Sequence, residues 1–85
     1  MVVISIEINV LKVSREIRYR MLSIVVIGKN ESKNLPVLIS SLRKFRQQAK
    51  FKTQIIYIDS NSSDQSVEIA KSFFDEIYVL SPSDH

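Results

Sequence analysis

The sequence predicts an α/β fold with a three-stranded parallel sheet in the order β-α-β-α-β, and with an extra N-terminal strand as an option. Two short apolar runs rich in β-branched residues, at 22–27 and 55–58, carry this prediction. Such runs are typical of strands buried on both faces of a parallel sheet. The stretch between them is long enough for a crossover helix. Right-handed crossovers place the loops after both strands at one edge of the sheet, where α/β folds bind ligands.

The length and composition indicate one small globular domain. The chain has 85 residues, of which 45% are hydrophobic and 25% are charged, which is ordinary for a globular protein. It has no cysteine, which excludes disulfides and thiolate metal sites and fits a reducing compartment. We therefore predict a cytoplasmic location, with peripheral attachment to the inner face of a membrane as the alternative. No apolar run approaches the length of a membrane span, so no transmembrane segment is predicted.

The net charge of +3 is mildly basic, and the lysines and arginines are spread along the chain. The densest group lies near the end of a predicted helix, where positive charge complements the helix dipole. We interpret it as a solvated helix end and predict no nucleic-acid binding. A second basic cluster precedes the first core strand and could contact anionic lipid, although a solvated segment is the favoured interpretation. The first group is Arg43, Lys44, Arg46, Lys50 and Lys52, and the second is Arg15, Arg18 and Arg20.

Residues 1–20 have two interpretations. Apolar residues alternate with polar ones from Ile4 to Val10, which is typical of a half-exposed strand. Met21 stands directly before the first core strand and could itself be a translation start. The segment is therefore either an edge strand with a basic linker or a leader outside the domain. We accordingly divide the chain into an N-terminal extension, 1–20, and a domain, 21–85.

The first core strand is predicted at 22–27, followed by the only glycine of the chain, Gly28. A residue without a Cβ permits a sharp bend and a close approach of ligand to backbone. A helix is predicted from Lys33 or Asn34 to Gln48, capped by Ser32 or Asn34 and with a proline in its first turn. Its apolar stripe should face the core. The stripe is Leu35, Leu38, Ile39, Leu42 and Phe45.

The second core strand is predicted at 54–58. The loop after it, at 59–63, is dense in turn-forming residues, with Asn61 as the candidate for the left-handed conformation. Ser62 and Gln65 have capping-box spacing, which predicts the start of a second helix.

That second helix is predicted from Asp64 or Gln65 to Phe74, with Val67, Ala70 and Phe73 or Phe74 facing inward. The third strand should follow at 76–80. Residues 81–84 would then form a third loop at the same edge of the sheet as the first two.

The loops carry few features of the familiar phosphate sites. A Rossmann dinucleotide site needs G-x-G-x-x-G after the first strand, whereas this chain has one glycine there. The P-loop motif is absent as well. Asp59 ends the second strand, where a carboxylate can hold a ribose or accept the imide N–H of uracil. Backbone groups of Gly28 and Lys29 can frame the ring, and the Lys29 ammonium can attract a diphosphate. The structural alternative is that Asp59 closes an Asx turn.

The ordered set of these motifs resembles the start of a family 2 glycosyltransferase, which has a partly Rossmann-like fold named GT-A. The resemblance covers about residues 22–82. In that family the first strand is followed by a polar loop ending in Asn-Glu, and the second by Asp-Asp-Gly-Ser-Thr-Asp. The matching positions here are Asn30-Glu31, Leu35-Pro36, Leu42, Asp59-Ser60-Asn61-Ser62-Ser63-Asp64 and Glu68-Ile69-Ala70.

The resemblance implies binding of a nucleotide-diphosphate sugar, a UDP-sugar first among them. Asp59 would contact the base, and Asp64 would act mainly as a helix cap. Two departures stand out, because the family's aromatic residue before Asn-Glu is missing and Ser60 replaces its second acid. The nucleotide-binding residues implied are Gly28, Lys29, Asn30, Glu31, Asp59 and Ser60.

The resemblance also implies groups that this sequence lacks. The family's metal-binding Asp-x-Asp and its general base are expected after residue 85, so no catalytic residue, metal ligand or cofactor is assigned within the chain. The complete enzyme would use Mg²⁺ or Mn²⁺ to stabilise the leaving diphosphate. We expect a truncated glycosyltransferase of cell-wall or polysaccharide biosynthesis, inactive alone. The alternatives are a non-catalytic nucleotide-binding module and an interaction domain, and an exposed sheet edge could drive self-association.

Overall fold

The structure, a computed structural model, describes residues 2–12, 18–50 and 52–81. These residues form four strands and two helices. In chain order they are β1 Val2–Lys12, β2 Arg18–Gly28, α1 Leu35–Gln48, β3 Lys52–Asp59, α2 Ser66–Lys71 and β4 Glu76–Val79.

The four strands form one sheet in the order β1-β2-β3-β4. The strands β2, β3 and β4 are parallel, and β1 pairs antiparallel with β2. The α/β class, the three-stranded parallel sheet and the extra N-terminal strand are therefore confirmed. Residues 13–17 of the basic linker and residues 82–84 of the predicted third loop lie outside the described residues.

The start of α1 differs from its prediction. The helix begins at Leu35, and its N-cap Asn34 makes no capping bond with its side chain. Asn34 has φ −94° and ψ −25°, which is helical rather than the extended backbone that side-chain capping needs. Its amide Nδ2 instead donates to Glu31 Oε2 at 2.8 Å. Capping of this helix by Ser32 or Asn34 was therefore a wrong prediction.

The second helix is shorter than predicted, because it ends at Lys71 rather than Phe74. The Ser72 hydroxyl donates to the Ile69 carbonyl at 2.6 Å and terminates the helix. The capping box is also absent, since the Ser62 hydroxyl donates to Asp59 at 2.6 Å instead. A side chain bound outside the helix thus overrides the local signal at the start of α2, and a local hydrogen bond terminates its last turn.

The helices cover one face of the sheet. Along β3, Ile55, Tyr57 and Asp59 are buried, whereas Ile56 and Ile58 between them are only partly so. The prediction that the core strands are covered on both faces is thus wrong for the described residues. Phe45, placed in the core by its helical spacing, is 42% exposed. The core consists of Leu22, Ile24, Val26, Leu35, Ile39, Leu42, Ile55, Tyr57, Ala70 and Phe74.

Neither described helix has the length and apolar character that crossing a bilayer requires.

Candidate functional site

Two loops meet at the carboxyl edge of the parallel strands. Loop A, residues 29–34, follows β2, and loop B, residues 60–65, follows β3. Gly28 and Asp59 are partners in the register of β2 and β3. The Ser60 amide donates to the Gly28 carbonyl at 2.9 Å and extends the pairing into the loops. Parallel pairing therefore places the two predicted polar segments side by side.

Hydrogen bonds between side chains and backbone join the loops. Three consecutive amides of loop A each donate to a side-chain oxygen of loop B or of the first residue of α2, and the Ser63 amide of loop B donates back to the Asn30 side chain. The bonds are Asn30 N to Ser62 Oγ (2.8 Å), Glu31 N to Ser66 Oγ (2.8 Å), Ser32 N to Asp64 Oδ2 (3.1 Å) and Ser63 N to Asn30 Oδ1 (2.8 Å).

This network bears on phosphate binding. A helix N-terminus holds an anion through backbone N–H groups that point at it. Here the amides of residues 30–32 already donate to oxygens of the chain itself. A pyrophosphate held in the Rossmann manner would have to displace them. The geometry therefore favours a diphosphate contact from exposed side chains over one from the backbone.

The carboxylate of Asp59 is fully buried beneath the loops. Its Oδ1 accepts hydrogen bonds from the Tyr57 hydroxyl at 2.8 Å and the Ser62 hydroxyl at 2.6 Å. Its Oδ2 accepts from the Ser62 amide, also at 2.6 Å. A carboxylate has about four acceptor positions, so the three bonds leave one at Oδ2. Asp59 thus organises loop B, and its contact with a base stays a prediction.

Tyr57 lies next to Asp59 on the covered face of β3. Burial raises the pKa of its hydroxyl, and the hydrogen bond to Asp59 raises it further, so the group remains a proton donor. An added Cβ at Gly28 would lie 3.2 Å from this hydroxyl oxygen. A side chain at position 28 would therefore require the Tyr57 ring to shift by a few tenths of an ångström.

The backbone turns sharply at two asparagines. Asn61 has φ 62°, which confirms its predicted left-handed conformation. Asn30 has φ 54°, so the positive φ in loop A falls on Asn30 and not on Gly28. The sharp bend that the sequence assigned to the glycine thus occurs two residues later. Asparagine tolerates this region because its short polar side chain bonds locally.

The six predicted nucleotide-binding residues lie at one edge but differ in access. Lys29 and Asn30 are exposed, and Ser60 is half-buried. Gly28, Glu31 and Asp59 are buried. The first three therefore form the part of the set that has surface within reach of a ligand.

Two residues of this site were not predicted from the sequence. Ser66 is fully buried and links Glu31 to Asp64, and Tyr57 holds Asp59. Tyr57 could have been found, since residues two apart in a strand share a face. The Ser66 role carries no local signal, because it depends on a contact with a residue 35 positions away.

Asp64 supports the start of α2 and fixes loop A. Its Oδ1 accepts from the Ser66 hydroxyl at 2.5 Å and the Ser66 amide at 2.9 Å. These bonds, the hydroxyl first, lower the pKa of Asp64 from 3.8 to about 2.

The lowered pKa gives a pH prediction. A depressed carboxyl pKa stabilises the folded state above the unfolded value, and that contribution is lost as the pH falls. For Asp64 the window runs from about pH 4 to about pH 2. Urea denaturation in steps across this window should show a steeper loss of stability in the wild-type chain than in Asp64→Asn. Parallel pH profiles for the two proteins would contradict the assignment.

The acidic residues of this edge do not form a metal centre. No group of three or more His, Cys, Asp or Glu side chains in the described part of the chain is arranged to hold a metal ion. The Asp59 and Asp64 carboxylates are engaged with Tyr57, Ser62 and Ser66. The described residues therefore do not fit the divalent-cation site that the family resemblance implies for the complete enzyme.

Comparison with known proteins identifies a family. A family model described as "Glycosyl transferase family 2" matches residues 23–83. The matched span runs from Ser23 in β2 through both loops, both helices, β3 and β4. No curated protein and no solved structure matches the chain significantly.

Proposed function

Because the chain belongs to glycosyl transferase family 2, we propose that it is the donor-binding part of a glycosyltransferase that uses a nucleotide-diphosphate sugar. The observation that carries the proposal is the meeting of loop A and loop B at the carboxyl edge of parallel strands. That edge is where open α/β sheets bind ligands. A UDP-sugar is the proposed donor, and its sugar would pass to an acceptor in cell-wall or polysaccharide biosynthesis.

The residues of the proposed site differ in their exposure to solvent. Lys29 would attract the diphosphate, since its ammonium group is exposed on loop A. Asn30 and Ser60 would supply polar contacts beside it. Gly28, Glu31 and Asp59 would form the floor of the site. The remaining acceptor position at Asp59 Oδ2 would take the imide N–H of uracil once Ser62 above it shifts.

Sugar transfer itself is assigned to no residue of this chain. The sequence has no Asp-x-Asp, and the described acids do not fit a metal site. We propose that the chain binds donor without turning it over. Incubation with UDP-sugars and Mg²⁺ or Mn²⁺ should yield no transfer, and turnover by the 85-residue chain would contradict this part.

The proposals on location and assembly rest on the composition of the chain and on the edges of its sheet. The lack of cysteine supports a cytoplasmic protein. Within the described part of the chain, the terminal strands β1 and β4 each have a neighbouring strand on one side only. Such edges can pair with other chains, and self-association through them stays a prediction.

Calorimetric titration with UDP tests the binding proposal. We expect measurable binding that weakens about fivefold to tenfold in Lys29→Ala, because an ion-assisted contact to the diphosphate is lost. The matched control is Lys71→Ala, another exposed lysine, which lies on α2 and should bind within about twofold of the wild type. Absence of binding at millimolar UDP would contradict the proposal and favour an interaction domain.

A further inference from the structure

The described members of the two basic clusters, together with Lys12, lie at the end of the sheet opposite the candidate site. In the register of β1 and β2, Lys12 stands opposite Arg18, and Lys52 of β3 stands opposite Met21. A crossover helix between parallel strands runs back along the sheet, so α1 also ends here. We call this region the basic end. It holds Lys12, Arg18, Arg20, Arg43, Lys44, Arg46, Lys50 and Lys52.

The charge of the molecule is therefore polarised. The basic end holds eight of the twelve lysines and arginines of the chain. Its described acidic neighbours are Asp75 and Glu76, which precede and begin β4. Among the described residues of the opposite edge, two lysines stand among three acids. They are Lys29 and Lys33 among Glu31, Asp59 and Asp64.

Ion pairs and ring contacts within the chain are made by only some of these cations. Arg46 donates to Asp75 at 2.5 Å, and both Arg46 and Arg43 lie over the ring of Phe73, at 5.2 and 5.0 Å. Lys44, Lys50 and Lys52, however, are exposed. The helix dipole favours cations at the end of α1 only, so it does not explain those on β1, β2 and β3.

An exposed aromatic side chain lies among these cations. Phe45 is 42% exposed and lines a shallow cavity of about 390 Å³ with Gln48, Ala49 and Lys50. An exposed apolar ring flanked by lysines is the combination found on surfaces that bind the bilayer interface.

We propose that the basic end is a docking surface for a bilayer of anionic lipids, with Phe45 entering the headgroup region. A nucleic acid fits the observations less well, because it would need several stacking aromatics among the cations, and among the described side chains of the basic end Phe45 is the only exposed one. The Phe73 ring is covered by Arg43 and Arg46, whereas Tyr57 and Phe74 are buried in the core.

The orientation has a consequence for the candidate site. The eleven residues of β2 separate Arg18 from Gly28 by about 33 Å. A chain docked through its basic end would therefore present loops A and B away from the bilayer, accessible to dissolved nucleotides. Docking thus goes beyond the proposed function and does not depend on it.

Vesicle co-sedimentation of the 85-residue chain tests the proposal. The chain should bind phosphatidylcholine vesicles containing 30% phosphatidylserine, and binding should fall in 0.5 M salt because surface attraction is screened. Lys44→Glu/Lys50→Glu should bind at least about tenfold more weakly, since each cation near an anionic surface contributes about fivefold. Phe45→Ala should weaken binding and leave the salt dependence unchanged. Circular dichroism of each variant confirms that it is folded.

The matched control is Lys29→Glu/Lys33→Glu, which changes the net charge equally at exposed positions of loop A, at the opposite edge of the sheet. It should bind the same vesicles within about threefold of the wild type. Equal loss in both double variants would overturn the proposal, as would equal binding to vesicles of phosphatidylcholine alone. Tighter binding to a short single-stranded RNA than to the anionic vesicles would also overturn it.

Discussion

Replacing Asp59 with alanine is expected to lower the free energy of unfolding by about 2 to 5 kcal/mol, because it leaves buried donors without an acceptor. The Tyr57 hydroxyl and the Ser62 amide both donate to this carboxylate, and Asp59 has no exposed surface. A small domain has a total stability of about 5 to 15 kcal/mol, so the variant should lie close to its unfolding limit. Urea denaturation gives the value directly.

The matched control for this change is Asp59→Asn. The side-chain amide keeps the shape of the carboxylate. Its oxygen can accept from the Ser62 amide, and its NH2 group can donate to the Tyr57 and Ser62 hydroxyls once these rotate. Its expected loss is about 1 kcal/mol. If Asp59→Ala cost less than about 1 kcal/mol, or if the two variants were equal, the carboxylate would not organise loop B as described.

Replacing Ser66 with alanine is the second large expected effect, a loss of about 1 to 3 kcal/mol. The Ser66 hydroxyl accepts from the Glu31 amide at 2.8 Å and donates to Asp64 at 2.5 Å. The hydroxyl is fully buried, so its removal breaks the hydrogen bond that the Glu31 amide makes to it. The change should also raise the pKa of Asp64 toward its ordinary range, because this hydroxyl is the main cause of its depression. Denaturation and an NMR titration of Asp64 measure the two effects.

Ser63→Ala is the matched control for the Ser66 variant. Its hydroxyl is exposed and lies 3.4 Å from Asn30 Oδ1, a long contact that contributes little. It should cost less than about 0.5 kcal/mol. Similar losses at Ser63 and Ser66 would mean that burial of the Ser66 hydroxyl does not determine its contribution.

The sheet could be predicted because its signals are local. The apolar runs within β2 and β3 are short and β-branched, and the stretch between them holds one helix. Where a side chain found a distant partner, prediction failed. Ser62 has capping-box spacing with Gln65, yet its hydroxyl bonds Asp59.

The position of the candidate site was predicted from the sequence, but the burial of its individual side chains was not. Asp59 does end β3 beside Gly28. Asp59 is buried because alternate residues of a strand share a face, and it shares with Ile55 and Tyr57 the face that the helices cover. The nearly continuous apolar run of β3 suggested cover on both faces, which hid this difference between alternate residues. Local pattern thus located the edge, and tertiary contacts decided which of its side chains a ligand can reach.

The most direct test of the account is an NMR titration of the ¹⁵N-labelled 85-residue chain with UDP. Donor binding at the carboxyl edge predicts that the largest amide shifts fall in residues 28–31 and 60–63, with the end of α1 and the start of β3 unchanged. Shifts centred on residues 43–52, or no shifts at millimolar UDP, would contradict a nucleotide site between loops A and B.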